Sequence, residues 1–499
     1  MFLGMSNLIF GQNVSGVVTD DTSQPIPGVS VVVKGTATGT STDFDGNYSI
    51  SASNGDTLVF SYVGYEAQEI VVTDNSLDVI LQSGVALDAV VLLGNRARSR
   101  TILDSPVPID NISVAELTGG GQPTIEAMLT FKVPSFNAQN QAISDASAHY
   151  DPADLRGLGP SRTLVLINGK RKNQSAQVYL NRTPGKGEVG VDLKSIPTAA
   201  IERVEILRDG ASAQYGSDAI AGVINMVLKK NSQFSTFTAK SGITSEGDGF
   251  NFATDFNTTL GFGDGGFINL TLGYYNQKLT NRAGLVGGPG DEGATRDYEI
   301  EWLANNPRAG MTVGQPDLEK GDIFMNMSHP VGENSEFYSF HGYTLRTGRS
   351  FAYYRAPYWR RDVADANFIT TEGNFQGYQP SFEARIKDHI NSLGLKMDLG
   401  EGWNADGSLT FGKNSVDYTV NNSVNRDYLA ANGTSPRTFN PGGYSLSNVI
   451  GNLDFSKVFS DMFSASFGLE YKKEKFEARE GNPLSYFGAG SDSFAGIKP

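Results

Sequence analysis

Four histidines, at positions 149, 329, 341 and 389, are the side chains that acid–base or metal chemistry near neutral pH would use first. Their spacing matches no metal motif, and neither a nucleophile elbow nor a phosphate loop accompanies them. Cysteine is absent, which removes thiol catalysis, thiolate metal sites and disulfides together. Asp43 and Asp45 offer the clustered carboxylates that a hard cation wants, yet the turn at Asp45-Gly46 accounts for both. The acidic run from Asp151 to Asp154 reads as a solvated turn. No catalytic residue, metal site or cofactor is therefore expected, and the chain does not read as an enzyme. Glu470 and Glu474, far downstream, share one face of an alternating segment, and buried charges need partners.

The elements that would position such charges are mostly strands. The 499 residues carry a net charge of −14, 58 glycines, 29 phenylalanines and 20 tyrosines. This composition is turn-rich and β-prone, and its acidity argues against a nucleic-acid binder. No apolar run reaches 18 residues, so no transmembrane helix is expected. Residues 1–12 read as a signal-peptide remnant that lacks a basic n-region. Residues 13–81 alternate between short strands and Pro/Gly/Asp turns, with a hairpin through Asp45-Gly46, and imply a small β-sandwich. Residues 82–103 form a hinge around Leu87-Asp-Ala-Val-Val-Leu-Leu93. Residues 104–230 interleave strands with short helices, the pattern of an α/β domain. Two polar insertions interrupt them, Ser135–Asp154 and Lys170–Gly187.

From residue 231 to 499 the period is two. Ile268, Leu270, Leu272 and Tyr274 oppose Asn269, Thr271 and Gly273; Leu393, Leu395 and Met397 oppose Ser392, Gly394 and Lys396. Short turns at 263–266, 332–335, 400–402 and 460–461 alternate with long loops at about 278–320, 349–386 and 416–444. Apolar-out and polar-in strands joined this way are what lipid outside and water inside select, with the short turns periplasmic. About nine strands can be counted.

The segment Ile201-Glu-Arg-Val-Glu-Ile-Leu-Arg-Asp-Gly-Ala-Ser-Ala-Gln-Tyr-Gly-Ser-Asp-Ala-Ile-Ala-Gly-Val-Ile-Asn225, with Leu155-Arg-Gly157 and Thr163-Leu-Val-Leu-Ile-Asn-Gly169, resembles the plug of TonB-dependent outer-membrane receptors. The motifs of residues 13–81 resemble the carboxypeptidase-regulatory-like domain that precedes the plug in Bacteroidota members. The resemblance implies a multi-domain chain: an N-terminal β-sandwich, an α/β plug, and the first nine or so strands of a 22-stranded antiparallel transmembrane β-barrel. The chain would then be a C-terminally truncated fragment.

The implied function is energy-coupled uptake of a large scarce nutrient, an iron chelate or an oligosaccharide, across the outer membrane. The sandwich and hinge would lie in the periplasm. The implied partners are the TonB–ExbB–ExbD complex, outer-membrane lipid, a small-molecule or oligosaccharide ligand, and in some relatives a surface lipoprotein; nucleic acid is not among them. Leu87, Asp88, Ala89, Val90, Val91, Leu92 and Leu93 would form the TonB box, an extended segment that adds a strand to its partner.

Arg156 and Arg203 would lock the plug to Glu470 and Glu474 on the barrel wall, with Arg208 as the alternative arginine. Tyr150, Asn173, Gln174, Gln177, Tyr179 and Asn181 crowd the two insertions and would face the ligand from the plug apices. The strand Leu164–Lys170, with Asn168 where the starch-utilisation branch carries Asp, leans toward the general receptor branch. The rival readings are a β-rich surface adhesin, which predicts internal repeats that are not found, and a secreted enzyme carrying the same sandwich.

Overall fold

The computed structural model describes residues 12–488, apart from 21–22, 37, 63–64, 66–67, 82–89, 92–99, 102–108, 139–145, 152, 180–184, 209–210, 231, 233, 360–367, 369–372 and 461–462. The chain divides into two compact units, with the division between residues 90 and 105.

The first unit is a sandwich of seven strands. These are β1 (Gln12–Asp20), β2 (Ser30–Val33), β3 (Gly39–Ser41), β4 (Asn47–Ala52), β5 (Thr57–Ser61), β6 (Gln68–Val71) and β7 (Val79–Leu81). One sheet runs β4-β1-β7 and the other β3-β2-β5-β6. Alternation sends Tyr48, Ile50 and Ala52 of β4 inward against Val14, Val31, Leu58 and Phe60.

The expected hairpin at Asp45-Gly46 is not one: β3 pairs with β2 and β4 with β1, so this turn carries the chain from one sheet to the other. Asp43 fixes it by accepting hydrogen bonds from the backbone of Asp45 (3.0 Å) and Asn47 (2.8 Å). Gly46 has φ +77°, and a Cβ there would lie 2.6 Å from the Val18 carbonyl oxygen. The segment expected to be a TonB box falls largely outside the described residues. Its Val90–Val91 (β8) pairs with Arg100–Thr101 (β9) in a two-stranded ladder.

The second unit begins with an α/β domain. Its strands are β10 (Ile109–Ser113), β11 (Phe136–Asn137), β12 (Asp154–Leu155), β13 (Thr163–Ile167), β14 (Lys170–Arg171), β15 (Ile201–Leu207) and β16 (Gly222–Leu228). Five of them form a mixed sheet in the order β10-β15-β16-β13-β14, in which β13 and β16 are parallel. The central strand β16 is buried at every position, which explains why its sequence is almost continuously apolar and does not alternate. Helix α1 (Val114–Thr118) starts on a capping box: Ser113 Oγ accepts from Glu116 N–H, and Glu116 Oε2 accepts from Ser113 N–H. Helix α2 (Ile125–Lys132) buries Ile125, Met128 and Leu129 against the sheet, and α3 (Ser212–Tyr215) leads into β16.

Nine antiparallel strands follow, in sequence order in one sheet, the number that the turn pattern predicts. They are β17 (Thr236–Gly242), β18 (Asn251–Phe262), β19 (Gly266–Gln277), β20 (Asp317–Pro330), β21 (Ser335–Phe351), β22 (Ser381–Gly400), β23 (Trp403–Asn421), β24 (Phe439–Ser460) and β25 (Phe463–Glu480). This wall reverses the usual rule of burial. Leu272 is 41% exposed and Leu393 43%, whereas Thr271 and Ser392 are fully buried on the face toward the α/β domain. Phe324, Phe340 and Ile390 of the wall join the α/β core directly.

Two of the long loops carry helices. The β19–β20 connection holds helix α4 (Asp297–Asn305), and the β23–β24 connection holds α5 (Arg426–Asn432). Trp302 of α4 lies 6.0 Å, ring to ring, from both Tyr354 and Tyr358. Trp359 Nε1 donates to the Glu292 carbonyl at 2.7 Å. These aromatics therefore tie loop to loop.

Candidate functional site: the contact between the α/β domain and the wall

The contact is built around the β13–β14 turn. Asn168 takes a left-handed conformation, φ +48°, which Asn tolerates better than most residues. Its Oδ1 accepts from Leu228 N–H at 2.9 Å, and its Nδ2 donates to Asn326 of the wall at 3.2 Å. Gly169 N–H donates to Asn225 Oδ1 at 2.9 Å, and Asn225 in turn donates to Glu205 at 3.0 Å. Both of these polar side chains are fully buried. Their mutual satisfaction is what makes that burial tolerable, and it holds the turn rigidly.

The turn delivers three consecutive cations to three wall strands. Lys170 Nζ reaches Asp406 of β23 at 3.1 Å, and Tyr338 OH donates to the same carboxylate at 2.7 Å. Arg171 Nε lies 3.1 Å from Glu470 of β25, while its Nη1 reaches Asp218 at 3.0 Å and its Nη2 meets the Tyr215 carbonyl. Lys172 Nζ contacts Asp388 of β22 at 2.6 Å. Asn173 and Asn414 donate to the other oxygen of Asp388 at 3.0 and 2.9 Å. With its lone pairs occupied in this way, Asp388 is a hydrogen-bonded buried ion and not an isolated one.

A fourth link runs in the opposite sense. Arg346 of β21, fully buried, grips Asp192 with two bonds of 3.1 and 2.9 Å and donates to the His149 carbonyl at 3.0 Å. Such forked geometry adds orientation to charge. The Tyr150 ring centroid lies 5.3 Å from the same guanidinium. Beside it Lys194 pairs with Asp151 and stands 3.6 Å from Glu126.

His149 is enclosed here, and burial first, then the charges of Arg346 and Lys194, push its pKa down to about 3. The ring is neutral at pH 7. In the unfolded chain it titrates near 6.5, so the unfolded state binds the extra proton in the window between the two values. The stabilisation is complete above about pH 6.5 and is lost as pH falls toward the folded pKa. Measured by urea unfolding across pH 7 to 4, the native protein is expected to lose stability relative to a His149→Gln variant. Parallel curves would refute this.

The charges singled out in the sequence are placed differently from expectation. The described partners of Arg203 are Glu202 (3.0 Å) and Glu205 (2.9 Å), both within the α/β domain. Arg156 Nη1 donates to the Arg208 carbonyl at 3.0 Å, and Arg208 pairs with Asp110. Glu470 is on the inner face as expected, but its cation is Arg171, and Glu474 meets Lys472 at 3.0 Å. Arg203 lies on β15, the second strand of the five-stranded sheet, whereas residues 170–172 lie on and just after its edge strand β14.

The residues expected to face a ligand are also relocated. Tyr150, Asn173, Gln177 and Tyr179 are buried against the wall. Tyr150 OH donates to Asn414 at 3.3 Å, and Gln177 bonds Tyr418. Gln174 is partly exposed, and Asn181 lies outside the described residues. Sequence reading missed Lys170, Arg171, Lys172, Asp192, Arg346, Asp388 and Asp406. The usable signal was three adjacent cations after a buried strand and an Asn-Gly turn.

Comparisons with known proteins complete the description. The CarboxypepD_reg-like domain model matches residues 14–92, and the TonB-dependent Receptor Plug Domain model matches residues 101–223. The chain is 32% identical over 237 residues to the TonB-dependent receptor SusC of Bacteroides thetaiotaomicron, covering 46% of this chain and 22% of that protein. It is 35% identical over 103 residues to the ferrienterobactin receptor of Escherichia coli, covering 20% and 13%. Among solved structures, a mutant of the ferric enterobactin receptor PfeA of Pseudomonas aeruginosa superposes with a TM-score of 0.55 at 13% identity, over 75% of this chain and 50% of that one. The chain therefore spans under a quarter of these curated relatives and half of that solved chain. The longer SusC match runs against the leaning toward the general receptor branch drawn from Asn168.

Proposed function

We propose that this chain, which matches the TonB-dependent Receptor Plug Domain behind a CarboxypepD_reg-like domain, is part of a TonB-dependent receptor, and that the full protein is an outer-membrane importer of a large scarce nutrient. The observation that carries this reading is the nine-stranded wall, apolar on its outer face and charged on its inner face, wrapped against a plug that it holds by ion pairs. An outward apolar face is stable only in lipid or detergent. The sandwich and the hinge lie in the periplasm in this reading. The segment Leu87–Leu93 adds a strand to the energy-transducing partner of the TonB–ExbB–ExbD complex. Force on that segment loosens the plug and opens a passage.

The cargo class follows the relatives only loosely. The matched set includes SusC and receptors named for siderophores, so an oligosaccharide and an iron chelate both remain in the panel to be tested. A surface lipoprotein is a compatible partner. The lock is formed by residues 170–172 with Asp406, Glu470 and Asp388, together with Arg346 and Asp192.

The test is uptake of labelled iron chelates and oligosaccharides by cells expressing the full protein, with and without residues 87–93. Import of one class is expected to disappear on deletion while surface binding persists. Unchanged import by a correctly inserted deletion variant would overturn energy coupling through this segment.

A further inference from the structure

The outer face of β22–β25 carries a row of cations that the lock does not use. Asp388, Gly412, Asn414 and Lys472 face the plug, since Asp388 binds Lys172, Asn414 accepts from Ala176 N–H, a Cβ on Gly412 would meet Asn173, and Lys472 reaches Asp218. Their strand neighbours Lys387, His389, Lys413, Lys473 and Lys475 therefore point the other way. The register sets His389 opposite Lys413, Lys413 opposite Ser447, and Ser447 opposite Lys475, in one line across four strands. Lys387 lies one outward position toward the long loops, and Lys473 one toward the short turns.

Toward the short turns the same face passes through a mixed row of Asn391, Phe411, Val449 and Lys473 and then becomes apolar, with Leu393, Leu409 and Tyr471 followed by Leu395, Leu453 and Leu469. Among the described residues, no carboxylate forms an ion pair with Lys387, Lys413 or Lys473. Lys475 pairs with Glu477, and Arg479 with Asp417 at 2.9 Å, so the carboxylates here lie farther toward the loops. In a chain of net charge −14 this local excess of cation is conspicuous. Direct cross-strand neighbours lie about 5 Å apart, so Lys413, the Ser447 hydroxyl and Lys475 can converge on one tetrahedral anion.

We propose that this row binds the phosphate of an anionic glycolipid in the outer leaflet. The position selects a lipid over a free anion: the cations stand at the long-loop border of the apolar band, where headgroups lie, with lysine stems over apolar surface and ammonium groups in the polar layer. The opposite border carries a different device, Lys457 with its Nζ 4.9 Å from the Trp403 ring centroid. The inference rests on the membrane reading above, and its test separates the two.

The full protein is inserted into phosphatidylcholine vesicles with a minor fraction of phosphorylated lipid A, and lipid retained through detergent extraction and purification is measured. Changing Lys387, Lys413, Lys473 and Lys475 together to glutamine is expected to reduce retention by about tenfold or more, with trypsin-resistant insertion preserved. Lys457→Gln is expected to retain lipid as the native protein does. Equal retention by the inserted quadruple variant, or equal retention of dephosphorylated lipid A, overturns the proposal. Full displacement by millimolar inorganic phosphate overturns the choice of lipid in favour of a free-anion site. Failure of the native protein to insert at all overturns the membrane reading instead.

Discussion

Replacing Arg346 by methionine is expected to cost the plug–wall unit about 3–5 kcal/mol, because it leaves a buried carboxylate without its charge partner. Asp192 is almost wholly enclosed and takes both of its described bonds to the wall from this guanidinium. The His149 carbonyl loses the same donor. Urea unfolding in detergent micelles, followed by tryptophan fluorescence, measures the loss. The double variant Arg346→Met/Asp192→Asn is expected to recover much of it, since no buried charge then remains. A double variant as unstable as the single one would show that packing around the Arg346 stem, and not the ion pair, carries the effect.

Gly412→Leu is expected to destabilise the same unit by about 3 kcal/mol, the upper end of ordinary overpacking. A Cβ at this position would stand 2.5 Å from the Asn173 Cβ and 2.6 Å from Asn448 Oδ1. Neither neighbour yields easily. Asn173 is pinned by its bond to Asp388, and β24 is fixed by ladders on both sides. Gly407 on the same strand provides the control. It meets only Leu453 Cδ1, at 3.7 Å, so Gly407→Leu is expected to be nearly neutral in the same unfolding assay. Equal effects at the two positions would mean that strand propensity governs both and that plug fit does not.

The parts of the fold legible in the sequence were those with a local period. Alternation of Leu272 with Thr271 and of Leu393 with Ser392 fixed which face of the wall is polar, and the short turns fixed the number of strands. The pattern Ser113-x-x-Glu116 is a readable helix start of the same local kind. The lock was legible on one side only. Glu470 could be assigned to the inner face by parity, but its partner is Arg171, 299 residues away, and no local pattern encodes that meeting. Arg203 attracted attention because it lies in the most recognisable motif, yet its strand holds it within the plug sheet. The three adjacent cations at 170–172 open the polar insertion Lys170–Gly187, and nothing local shows that the wall supplies Asp406, Glu470 and Asp388. Burial of Tyr150 and Tyr179 was hidden for the same reason, since the surface that covers them comes from strands more than 200 residues downstream.

The Lys170–Lys172 tip also has a mechanical reading. Three neighbouring residues anchored to three different strands share a tensile load in parallel, unlike a zipper whose bonds open one after another. Under a pull on the plug such a joint stays stiff up to a threshold, and the failure of one anchor transfers its share at once to the other two. Release is then abrupt, closer to a latch than to a spring, and a brief strong tug works better than a weak sustained one.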